Sequence, residues 1–147
     1  VLQAAVAVGM ERELREECGL LPEDIGWTRL VGYGRWLDRG GKPEFFAVTA
    51  LTVPLATALS RRSSHLDERL WTQSVAGVAM DLTGQGDPGE PVRWQDVVPD
   101  PRRLRGSMSV PLEATLVALA RALRGSSELV GELTAVRSSR RGGPASR

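Results

Sequence analysis

Cysteine is almost missing from this chain: Cys18 is the single one in 147 residues. One thiol excludes an internal disulfide framework and any cysteine-rich zinc site. Histidine is as scarce, with His65 alone in a polar run and without a fixed partner. Such a histidine reads as a solvated side chain rather than a general acid or base, and no nucleophile motif accompanies the serines and aspartates. No uninterrupted apolar run approaches the roughly 18 to 20 residues that span a bilayer, and residues 1–8 have no basic flank of the kind that marks a signal peptide. A cytoplasmic protein without membrane partners is therefore expected. Neither sign of charge is in surplus. Nineteen Lys+Arg against 18 Asp+Glu leave a net charge of +1, which gives no general pull toward nucleic acid. Lysine is nearly absent, Lys42 being the only one, a bias toward arginine that GC-rich coding produces. No internal repeat occurs at solenoid periods.

What is present is the composition of an ordinary globular protein, 41% hydrophobic and 25% charged, with room for one domain and a sizeable core. The chain is organised around residues 12–20, Arg-Glu-Leu-Arg-Glu-Glu-Cys-Gly-Leu. Wound as an α-helix, this stretch places Glu13, Glu16 and Glu17 within about 60° to 100° of one another. Like charges four residues apart cost an isolated helix about 0.2 to 0.5 kcal/mol, so Glu13 beside Glu17 calls for a cation. A hard divalent ion with oxygen ligands suits that gap. A plain solvated face is the alternative, because Glu11 with Arg15 and Arg12 with Glu16 make ordinary helical pairs. Val6, Met10 and Leu14 form an apolar stripe with Glu17 at its edge, and Gly19 stands where a helix C-cap is wanted.

In this order the residues resemble the second half of the Nudix box, G-x5-E-x7-R-E-U-x-E-E-x-G-U with U aliphatic, and match each of its fixed positions. The resemblance implies an α/β fold, a Nudix-like mixed β-sheet packed between helices. It also implies hydrolysis of the pyrophosphate linkage of a nucleoside diphosphate derivative, by metal-assisted attack of water with Mg2+ or Mn2+. Glu16 and Glu17 would be metal ligands, Glu13 a ligand or the group that orients the water, and Arg12 the ion-pair partner that holds a carboxylate in place. The first half of the box departs from the pattern. Its earlier Glu falls on Ala4, and its opening Gly would lie before Val1. An N-terminally truncated domain is thus expected, with Val1 marking a GTG codon read as a start inside a longer frame. An open sheet edge in such a domain would lead to self-association.

The remaining segments fit that order. The box helix is expected over residues 1–20 and a hairpin over 28–53, turning at the Gly40-Gly41 pair. A late strand containing Trp94 is expected over 91–98, and a closing helix over 109–123, with Pro111 in its first turn and Leu112, Leu116, Leu119 and Leu123 on its core face. Residues 1–123 would form the partial Nudix-type domain. Residues 124–147, rich in Arg, Ser and Gly, read as a disordered tail, with a weak helix as the alternative over 126–133 and disorder from Arg137 on. Two other functions stay open: a catalytically silent Nudix-fold remnant acting as a binding or regulatory module, and a small adaptor whose Arg-rich tail contacts nucleic acid.

Overall fold

The computed structural model describes residues 2–61, 77–84, 86–87, 89–104 and 108–139. The chain is mixed α/β, a two-stranded antiparallel sheet with helices, and divides into two compact units, Val1–Gly77 and Val78–Arg147. The division lies inside the single domain expected for residues 1–123. Residues 62–76, which hold His65, and the end of the tail from residue 140 lie outside the described residues.

The first unit opens with helix α1, Leu2–Cys18. Its alanines favour the helix. Gly19 ends it in the left-handed conformation, φ 67°, with its N–H on the Arg15 carbonyl at 3.0 Å. That is the conformation a glycine adopts without the strain a Cβ brings. Leu20 follows into the core, 6% exposed, and a short 3-10 turn, Pro22–Asp24, leads into strand β1, Ile25–Trp36. Strand β2, Lys42–Leu51, returns antiparallel, in register from Ile25 opposite Leu51 to Trp36 opposite Lys42. Irregularities after Ile25 and Leu30 interrupt the ladder, as bulges do. The hairpin closes through Gly40 and Gly41, both at φ 72°, with the Gly41 N–H on the Trp36 carbonyl at 2.9 Å. Strand β1 begins before the expected 28–53 span, at Ile25, and β2 ends inside it, at Leu51. The two-residue glycine pivot is where the sequence placed it.

A buried carboxylate ties the ends of this unit together. Asp24 is 1% exposed. It accepts the Leu21 N–H at 2.9 Å and two bonds from Arg61, Nε to Oδ2 and Nη2 to Oδ1, both 3.1 Å. Its own carbonyl accepts the Thr52 N–H at 2.8 Å, while the Thr52 hydroxyl donates to the Glu23 carbonyl. The start of β1, the exit of β2 and the residue after helix α2, Leu55–Ser60, are thereby joined at one point.

In the second unit, helix α3, Val110–Gly125, is capped by Ser109, whose Oγ accepts the Leu112 N–H. It buries Leu116, Leu119, Ala120 and Leu123, three of the four leucines expected on that face. Two expectations are corrected here. Residues 91–98 make no strand; Trp94–Asp96 is a 3-10 turn. The Asp96 carboxylate accepts the Arg93 N–H at 2.8 Å, and a side chain that bonds its own backbone competes with a sheet ladder. Nor is the stretch after Arg124 structureless. Helix α4, Ser127–Ser139, starts on Ser126, whose Oγ accepts the Leu129 N–H at 3.2 Å, and it packs against α3 with Leu129 buried. Arg124 is partly buried in this unit, with Nη2 2.9 Å from Asp96 Oδ2 and Nη1 on the Glu90 carbonyl.

Two outcomes test this description. Leu129→Ala should cost about 2 to 5 kcal/mol in chemical denaturation, the range for a buried leucine and far above that for a tail position. The second concerns acid. The Leu21 N–H, and then the hydrogen bonds and charge of Arg61, hold the Asp24 carboxyl below its ordinary value, against the opposing effect of burial. With the folded pKa below the unfolded one, the stabilisation is complete above the usual carboxylate range and is lost as pH falls through it. Calorimetry from about pH 6 down to about pH 3 should show a falling Tm, and Asp24→Asn should lower Tm at the upper end and flatten the slope.

Candidate functional site: an acid-rimmed cleft

The geometry of α1 decides what its carboxylates can do. Positions 10, 13, 14 and 17, spaced by three and four, share the side of the helix that faces β2 and α2. There Met10, Glu13, Leu14, Glu17 and Cys18 border a cleft of about 520 Å³. Its opposite walls are Ala47, Thr49 and Leu51, alternate residues on one face of β2, and Leu55, Ala58 and Leu59 of α2. The Thr49 hydroxyl is hydrogen-bonded to that of Thr28 across the ladder at 2.9 Å. Leu20 completes the lining.

Sequence spacing grouped Glu13, Glu16 and Glu17; the fold brings two of them to the cleft. Glu16 is not among the lining residues and instead approaches Arg12, with Nε to Oε1 at 3.9 Å. Arg12 also donates from Nη2 to Glu13 Oε1 at 2.9 Å, and the bond to Glu13 with the charges of both glutamates pushes the guanidinium pKa up. Arg12 is thus an ion-pair partner of the carboxylates, though the pair is exposed and contributes little to stability. Among the described residues no three His, Cys, Asp or Glu side chains converge as a metal-binding group. No helix of the described residues is long and apolar enough to cross a membrane.

Two features escaped the sequence. Cys18, for which spacing gave no sign of a cleft, is half-buried at its edge. The buried Asp24 and Arg61 pair stands 37 residues apart in the chain, and no local spacing announces a contact of that range. Against protein-family models, curated proteins and solved structures, the chain has no match. Any functional reading therefore rests on the residues and their geometry.

The thiol reports on the electrostatics of this place. Burial, and then the negative charge of Glu17, push the Cys18 pKa above its ordinary value. Alkylation by iodoacetamide should therefore be slow at neutral pH and accelerate only in the alkaline range. Glu17→Gln should move the pH–rate profile toward lower pH; an unchanged profile would mean that Glu17 does not face the thiol.

Proposed function

We propose that the chain is a Nudix-type hydrolase that cleaves the pyrophosphate linkage of a nucleoside diphosphate derivative by metal-assisted attack of water. The observation that carries the reading is the match of residues 12–20 to the box on a helix that ends in a left-handed glycine and turns Glu13 and Glu17 toward one cleft. Magnesium fits such a place without a full protein cage, because it is commonly held by one or two carboxylates while the substrate's phosphates and water complete the octahedron. Manganese, another octahedral ion suited to oxygen ligands, would serve in the same way.

On this reading Glu17 and Glu13 would hold the ion from the cleft side, or Glu13 would orient the attacking water. Glu16, which lies outside the cleft lining, would be a further ligand by turning from Arg12, and Arg12 pairs with Glu13 and Glu16 from the other side. The ion supplies charge neutralisation at the phosphoryl oxygens, which is most of what phosphoryl transfer requires of a protein. The sheet belongs, in this reading, to a larger Nudix-like mixed sheet packed between helices. Self-association through a sheet edge belongs to the same reading.

A second reading is favoured by a specific observation, that no three metal-binding side chains converge among the described residues. It is a Nudix-fold module that binds a nucleotide derivative without hydrolysing it.

Calorimetry with Mn2+ and a phosphate-release screen over nucleoside diphosphate derivatives separate the two. The hydrolase requires metal binding that Glu17→Gln abolishes and turnover that the same change lowers by about two orders of magnitude, at unchanged Tm. Metal binding without phosphate release supports the silent module. Mn2+ binding that ignores Glu17→Gln removes the metal site altogether.

A further inference from the structure

We propose that the cleft between α1, β2 and α2 binds small organic cations with an apolar body, the cationic head lying between Glu13 and Glu17 and the body against Leu14, Leu51, Leu55 and Leu59. Size, lining and charge all point to this class. The cleft, about 520 Å³, falls within the roughly 300 to 1,000 Å³ of small-molecule sites. Its walls are aliphatic apart from Thr49 and Cys18, and Glu13 and Glu17 are the only charged side chains lining it among the described residues. Leu55 and Leu59 are 57% and 39% exposed, so an apolar body laid between them removes hydrocarbon from water.

Charge complementarity selects among amphiphiles. Two carboxylates on one side of an apolar slot attract an ammonium and repel a carboxylate or sulfate of the same shape. Glu13 gives Oε1 to Arg12, but a carboxylate has about four lone-pair sites and accepts further donors. The site shares Glu13 and Glu17 with the hydrolase reading, yet it needs neither a divalent ion nor a diphosphate.

Three probes of one shape test it in metal-free buffer containing a chelator: 4-phenylbutylamine, 4-phenyl-1-butanol and 4-phenylbutyrate. Methyl-resolved NMR follows Met10, Ala47 and Ala58, which line the cleft. The amine should shift these methyls saturably, with an affinity about fivefold above that of the alcohol, and the carboxylate should give no saturable shift. In the double variant Glu13→Gln, Glu17→Gln the amine should bind no better than the alcohol, at unchanged melting temperature. The proposal is overturned if the alcohol matches the amine, if the double variant binds the amine as before, or if the shifts fall on methyls outside the cleft. Because no metal is present, failure here leaves the hydrolase reading standing, and failure of the Mn2+ experiment leaves this one standing.

Discussion

The first unit depends on one carboxylate. Asp24 stands where the chain leaves α1 and enters β1, and through Leu21, Thr52 and Arg61 it collects groups from three separate stretches. A buried charge is costly unless paired and hydrogen-bonded, so the two nitrogens of Arg61 and the N–H of Leu21 are what allow it to lie almost out of contact with water. The consequence reaches the cleft. Arg61 directly follows α2, so the bidentate pair fixes the end of the short helix that forms one wall. Six residues of helix have little stability of their own. Their position comes from the tether and from the leucines.

The carboxylate face of α1 shows how a sequence pattern and a fold divide the same information. Spacing alone grouped three glutamates within a sector of the helix, and it identified the left-handed glycine that ends it. The apolar stripe of Val6, Met10 and Leu14, with Glu17 at its edge, also pointed to the buried side; what spacing could not supply is which glutamates reach a cleft. The sheet lies toward positions 10, 14 and 17, so Glu13 and Glu17 flank the cleft while Glu16 turns to Arg12. The hairpin was legible because its determinants are local, a glycine pair between two β-rich runs. The leucine face of α3 was legible for the same reason of periodicity.

Residues 91–98 and 127–139 were misread for opposite reasons. In the first, an apolar Val-Val run following Trp94 suggested a strand, but the deciding group was Asp96, whose carboxylate serves the Arg93 N–H and Arg124 together. Val97 and Val98 are buried as expected of a strand, each 1% exposed, without a ladder. In the second, a short apolar set among serines and glycines suggested at most a weak helix as far as Leu133, yet with one capping serine and one buried leucine against α3 the helix runs on to Ser139. Both segments are decided by tertiary partners. The long-range pair between Asp24 and Arg61 belongs to the same category.

The lone lysine gives the hairpin a chemical individuality. Lys42 is exposed and begins β2, whereas the arginines keep their protons and do not react as amines. Amine-directed coupling, apart from the chain's own amino terminus, therefore addresses a single tip. Ala47, Thr49 and Leu51, the part of the strand that walls the cleft, lie five to nine residues further on, about 17 to 30 Å along an extended chain. A protein immobilised through that side chain would be held by the tip of its hairpin, with the acid-rimmed cleft at the far end of the strand and open to solution.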